Sequence, residues 1–122
     1  MHKALDQLPV TLKAPGAVVS SIDFGNMTVS RNQVAKGADF GPLLEGLPND
    51  HCQCPHWGYV MKGKIRLTYE DGSEEVTEAG QFYYWPPGHR AVVEEDLELL
   101  EFSPKKEMHE VMDHLEKKLQ QA

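Results

Sequence analysis

Residues 50–63, DHCQCPHWGYVMKG, decide how the rest of the chain is read. The stretch opens with His51, Cys52, Cys54 and His56 and runs into an apolar segment that ends at Gly63. If the segment is extended, Cys52, Cys54 and His56 share one face, because strand side chains repeat every two residues. Three metal-capable groups then converge at the head of a strand. The same residues also read as two reduced core cysteines beside a histidine, since free cysteine is among the most buried residue types. An extended Cys-x-Cys holds its Cα atoms about 7 Å apart, at the limit of disulfide geometry. Reduced thiols or metal-bound thiolates are therefore expected, and no mutual disulfide.

Downstream of this stretch the chain punctuates into short extended segments. Residues 57–62 precede a turn glycine at Gly63, and 64–70 alternate Ile65, Leu67 and Tyr69 against Lys64, Arg66 and Thr68. Asp71-Gly72 predicts a tight hairpin returning through 74–77, because glycine supplies the positive φ such turns require. The aromatic run QFYYW stops at Pro86-Pro87, since proline cannot donate to a ladder. Segments 91–94 and 97–102 complete the series, with Glu94, Glu95 and Asp96 read as a solvated turn between them. Upstream, 17–22 and 27–35 predict a hairpin around a turn at 24–26. Residues 36–50, with three glycines and two prolines, read as a long loop folded over part of the molecule. Residues 1–16 form an arm, either a peripheral strand or a partner-contacting tail. Residues 103–122 predict an amphipathic helix with Ser103 as N-cap and Pro104 at the first helical position. Its apolar stripe is Met108, Val111, Met112, Leu115 and Leu119, with His109 and His114 off the stripe.

The expected organisation is thus an arm (1–16), a β-barrel or sandwich (17–102) and a C-terminal helix (103–122) within one domain. A chain of 122 residues has volume for one core. Its formal charge of -7 excludes nucleic acid as a general partner, because phosphate binding needs clusters of Lys and Arg. No apolar run is long enough to span a membrane. The N-terminal residues lack the continuous apolar core of a signal peptide, which predicts a cytoplasmic location.

These residues resemble the cupins, small jelly-roll β-barrels that hold a metal between histidines and a glutamate. The first cupin motif ends in Glu, six residues and Gly, and six residues separate His56 from Gly63 in HWGYVMKG. The second is Gly, five residues, Pro, any residue and Gly, matched by Gly80, Pro86 and Gly88 in GQFYYWPPG. CQCPHWGYVMKG, YEDGSEE and YYWPPGH are similar to a group of small single-domain bacterial cupins. The sequence also departs from the pattern. His56 stands where the glutamate ligand is expected, Cys52 or His51 where the second histidine is, and Asp50 two residues before Cys52. Ala91 occupies the place of the closing histidine, with His89 two residues early.

The resemblance implies an all-β cupin-type jelly-roll barrel with a C-terminal amphipathic helix, a divalent metal, a small-molecule ligand or substrate, and a homodimer. The metal ligands expected are Cys52, Cys54, His56 and His89, with His51 as an alternative. Three constellations remain open. Cys52, Cys54, His56 and His89 would make a closed tetrahedral set that favours Zn over Fe through its thiolates. Three of these with an open fourth position would make a Lewis-acidic centre. His51, His56 and His89 would make a three-histidine Fe(II) site resembling thiol dioxygenases, and this requires a bulge at Cys54-Pro55. The first, or the absence of any metal, predicts a non-catalytic binding or sensing module; the others predict an enzyme on a small organic molecule, oxygenase-type with Fe or carbonyl, isomerase or lyase-type with Zn. The aromatic residues 57, 59 and 82–85 read as divided by alternation between core and outer face, and Arg66 and Arg90 as surface charges.

Overall fold

The computed structural model describes residues 1–121. A 3-10 turn at Leu5–Gln7 leads into seven strands: β1 (Val10–Ala14), β2 (Ala17–Phe24), β3 (Met27–Val34), β4 (His56–Tyr69), β5 (Glu74–Glu78), β6 (Phe82–Trp85) and β7 (His89–Pro104). A single helical turn, α1 (Gly41–Leu44), lies between β3 and β4, and α2 (Lys105–Gln120) ends the described chain. The strands form one antiparallel sheet in the order β1-β2-β3-β7-β4-β5, with β6 on the free edge of β4. The all-β architecture with a C-terminal helix is as expected; the sheet folds on itself without closing, and β1 and β5 end its path.

The hairpins stand where turn chemistry placed them. β2 and β3 pair from Ala17↔Val34 to Phe24↔Met27, and Gly25 takes the positive φ of 59° that their turn requires. β4 and β5 meet around Gly72. The arm contributes an edge strand, β1, paired with β2. Residues 36–50 hold α1 and a 3-10 turn at Pro48–Asp50, and they fold over the open end of the sheet.

Two expected turns are absent. Gly63 does not reverse the chain, and Glu94, Glu95 and Asp96 do not separate two strands; β4 and β7 each run unbroken through these places. The register between them slips from Val60↔Leu99 through Lys62↔Glu98 and Lys64↔Glu95 to Ile65↔Val93, so the pair bends through bulges instead of ending. Gly63 has φ 91°, and a Cβ there would lie 2.1 Å from the Asp96 carbonyl oxygen. Its lack of a side chain lets the strands cross closely at the corner. The acidic residues are held by pairing: Arg66 with Glu94, Lys64 with Glu95, and the Lys36 N–H with Asp96.

The bend carries both strands from one layer to the other. The first part of β4 pairs with β6 and with the C-terminal half of β7, while its last part pairs with β5 and with residues 89–95. Val34, Val60, Ile65, Leu67, Val93, Leu97 and Leu99 fill the space between the layers with Tyr83 and Trp85. Full burial of each such aliphatic side chain stabilises the fold by about 1.5–3 kcal/mol.

The helix also departs from its expected start. β7 continues through Ser103, so Pro104 takes the N-cap position without a side-chain cap. Ser103, 1% exposed, points into the interior and is no cap. Met108, Val111 and Leu115 are buried, and they pack with Leu44, Cys52 and Cys54 as a second apolar cluster across the open end. His109 pairs with Asp23, and His114 donates to the Glu45 carbonyl, so both histidines tether the helix to the sheet and the loop. Residue 122, the end of the expected helix, lies outside the described residues.

Candidate metal centre

His56 begins β4 and His89 begins β7, at opposite ends of the β4–β7 ladder, where His89 pairs with Tyr69. Folding of the sheet returns them to one place, with ring centroids 5.1 Å apart. Cys52 joins through the backbone. Its N–H donates to the His89 carbonyl at 2.8 Å, and its carbonyl accepts the Gly88 N–H at 2.7 Å. This two-residue bridge fastens the loop before β4 to the turn before β7. Cys52, His56 and His89, all buried, then present ligand-capable atoms within 4.8 Å of one another.

The hydrogen bonds outside the group fix how the histidines face it. His89 Nδ1 lies 2.8 Å from the Pro86 carbonyl oxygen, which only accepts, so the proton is on Nδ1 and Nε2 carries the free lone pair. His56 Nδ1 lies 2.8 Å from Ser103 Oγ and 3.5 Å from Glu101 Oε2, while its Nε2 lies 3.6 Å from Cys52 Sγ. Carboxylate, hydroxyl and carbonyl groups behind the distal nitrogens are the arrangement that orients metal-binding imidazoles. Burial pushes His56 down to about 3. Burial, reinforced by His56, pushes His89 down to about 4. Both rings are thus neutral near pH 7, the form that ligates.

Glu101 is 3% exposed and faces this group from β7. Burial pushes its carboxyl up to about 7, against the Tyr83 hydroxyl that donates to it at 2.8 Å. Burial and the carboxylate together push Tyr83 far above the ordinary range of tyrosine. With His56 held neutral, its 3.5 Å approach to Glu101 is a polar contact and not an ion pair. Glu101 was not among the expected site residues. Its signal was parity: Leu97, Leu99, Glu101 and Ser103 share one face of β7, so two inward leucines place the carboxylate inward as well.

The remaining expected ligands lie elsewhere. Cys54 is fully buried but packs against α2 in the second apolar cluster, its Sγ 3.4 Å from the Pro55 carbonyl. The shared face expected for Cys52, Cys54 and His56 requires an extended segment, and the strand starts only at His56, after a bend at residue 54. His51 turns away, its Nδ1 against the Asn49 carbonyl. Arg66 pairs with Glu94 and Glu74 on the outside.

The Cys52–His56 edge of the donor set fits a tetrahedral metal. With metal–nitrogen and metal–sulfur bonds of roughly 2.05 and 2.3 Å, the edge between two ligands is about 3.5 Å, against 3.6 Å between His56 Nε2 and Cys52 Sγ. Burial pushes the Cys52 thiol up to about 12; a bound cation inverts this, since a coordinating thiol is deprotonated. Beside the group opens a cavity of about 120 Å³ that Leu67, Trp85, Leu99, Met108 and Leu115 help to line.

A cupin domain model matches residues 34–102. Among solved structures, the chain superimposes on an oxalate decarboxylase of Bacillus subtilis with a TM-score of 0.62 and 19% identity, covering 84% of this chain and 28% of that one. It is similar to an RmlC-like cupin of Shewanella frigidimarina NCIMB 400 with a TM-score of 0.61 and 18% identity, over 84% and 88% of the two chains. The iron(II) form of HppE gives 0.61 and 12%, over 84% and 59%. The chain therefore spans under a third of the oxalate decarboxylase and most of the RmlC-like protein. No curated protein sequence is significantly similar to it. The domain match, over more than half of the chain, and the shared fold together make this protein a member of the cupin family.

Proposed function

We propose that this cupin binds one divalent metal through Cys52, His56 and His89 and acts on a small organic molecule held in the adjoining cavity. The observation that carries this reading is the convergence of the three donors within 4.8 Å at the wall of that cavity. A thiolate among the donors favours zinc over iron. The metal would supply Lewis acidity toward a substrate oxygen or a bound water.

The chain's own residues do the rest. The Pro86 carbonyl holds His89 in the ligating tautomer, and the Ser103 hydroxyl orients the ring of His56. Glu101, buried beside the donors, is placed to exchange a proton at its carboxylate oxygens, and the Tyr83 hydroxyl anchors that carboxylate. The apolar walls of the cavity and the cover of α2 limit its contact with bulk water. With Cys54 outside the group, a three-donor centre with an open position is favoured over a closed Cys2His2 shell. A non-catalytic module remains the second reading, supported by the Cys52–His56 contact, which a neutral thiol and imidazole can make without a metal.

We also propose a homodimer. The outer face of the sheet exposes Trp57, Phe82, Tyr84 and Phe102, an apolar surface of the kind that marks an interface. No helix among the described residues is long and apolar enough to cross a membrane.

Metal analysis joined to X-ray absorption of the purified chain tests the function. The expected result is one zinc per chain with one sulfur and two imidazole nitrogens, the remaining scatterers being light atoms. Two sulfurs in a four-coordinate shell would support the structural module, and no bound metal would remove the reading.

A further inference from the structure

The cavity carries a polar group that the metal centre does not use. Asn32 lies on β3 and lines the cavity. Its Oδ1 is, among the described residues, the buried side-chain polar atom without a hydrogen-bond partner. Leaving a buried acceptor unpaired costs about 1–3 kcal/mol, so such an atom calls for an explanation. Register places it. Ser30 pairs with Glu101 and Asn32 with Leu99, so Asn32 stands one pleat repeat beyond Glu101 on the same inner wall. That step is roughly 7 Å along the strand. It sets the carbonyl oxygen apart from the metal donors while keeping it within one small molecule's reach of Glu101.

The surroundings define what fits. Val34, Leu67, Leu97 and Leu99 flank Asn32 from the sheet, and Met112 and Leu115 close the space from α2. Among the described residues no lysine or arginine lines the cavity, and its one carboxylate is Glu101. An anion has no cationic side chain to meet there and faces Glu101. The volume of about 120 Å³ is close to a ring-sized apolar site; a cavity of ~150 Å³ in another protein holds benzene.

We infer that the cavity takes a small uncharged molecule, mainly apolar and about one ring in size, whose hydroxyl or N–H donates to Asn32 Oδ1. The inference rests on the proposed function in treating this ligand as the substrate class of the metal site. Asn32 is the specificity residue, since a site with an unpaired acceptor discriminates strongly against an analogue that lacks the donor.

Calorimetric titration of the zinc-loaded full chain with phenol, toluene and benzoate tests it. Phenol and toluene share shape and differ in the donor. Phenol is expected to bind at least about tenfold more tightly than toluene, and once the zinc is chelated, so that no metal holds a carboxylate, benzoate is expected to bind weakest. Asn32→Leu, near in volume, should bring phenol and toluene within roughly twofold while leaving the zinc stoichiometry unchanged. Toluene binding as tightly as phenol in the unmodified protein, benzoate binding most tightly once the zinc is chelated, or a preference for phenol that survives Asn32→Leu would each overturn the inference. The unmodified protein decides two of these outcomes even where the variant does not fold. Repeating the titration after chelation separates the two readings. A preference that persists in a chain found to bind no zinc supports the cavity and defeats the metal, whereas zinc binding without the preference defeats the cavity alone.

Discussion

The two faces of the β6-β4-β7 sheet reverse the usual relation of polarity to burial, residue by residue. On the inner face stand His56, Tyr83, Trp85, Glu101 and Ser103, all buried. On the outer face Trp57, Phe82, Tyr84 and Phe102 are exposed, with Trp57 stacked on Tyr84 and Tyr59 tilted against Phe82. An aliphatic core would have been cheaper inside, because each buried polar group must keep a partner. The inner face keeps a carboxylate, a hydroxyl, a phenol and an imidazole in one connected network, and the outer face keeps its aromatics in the open. The proposed metal site would account for the polar groups inside, and the proposed homodimer for the apolar groups outside.

The largest contrast should appear in stability. Leu67→Ala, at a position with no exposure, is expected to cost about 3 kcal/mol in urea unfolding. Phe82→Ala, at 84% exposure, should cost under about 0.5 kcal/mol in a dilute sample. Equal costs would mean that the outer face is already covered. A finer contrast lies between neighbouring tyrosines. Tyr83→Phe removes the hydroxyl that holds Glu101 and should cost roughly 1–3 kcal/mol, whereas Tyr84→Phe should change little.

Acid should act through the inner face of the metal-free protein. His56 and His89 titrate at about 3 and about 4 when folded, against 6.5 ordinarily, so below 6.5 the unfolded chain binds protons that the folded chain does not. Their contribution is present above pH 6.5 and is lost as pH falls toward 4. Glu101 works in the opposite sense. Held at about 7 instead of 4.5, it contributes stability on the acid side that is lost as pH rises toward 7. Two histidines outweigh one carboxyl, so unfolding in EDTA should show stability falling from pH 6.5 to 4.5. Glu101→Gln should steepen that fall by up to about 1.4 kcal/mol per pH unit. A flat profile would place the histidines in water. The outer face is tested through self-association: Phe82→Ser with Tyr84→Ser should weaken it by about tenfold in sedimentation, roughly 1.4 kcal/mol, without lowering the monomer's stability.

Much of this fold was legible because turn chemistry is local. Gly25-Asn26 and Asp71-Gly72 announced their hairpins, and alternation divided the aromatic run 82–85 between the two faces. Where the same local signals stood at a bend, they misled. Gly63 and the run 94–96 carry the residues of a turn, yet a long-range pairing overrides them and makes a corner of two continuous strands. The site was readable as residue types and not as a set. Parity assigned Cys54 to the face of His56 by assuming a strand that starts only after Pro55. His89 joins through the Cys52 backbone bridge, a contact between residues 37 positions apart that no local pattern specifies. Glu101 could be found from parity with Leu97 and Leu99, but Glu98, Leu100 and Phe102 offer a competing face of similar apolarity. Only the neighbouring strands decide which face is inside.

The cysteines give the most direct test, since they are two residues apart and both buried, and of the two only Cys52 stands with His56 and His89. Zinc content should be measured after identical purification of the unmodified chain, Cys52→Ser and Cys54→Ser. The account predicts about one zinc per chain in the unmodified protein and in Cys54→Ser, and a loss of most of the metal in Cys52→Ser. Equal loss from both variants, or no zinc in the unmodified chain, would contradict a centre built on Cys52, His56 and His89.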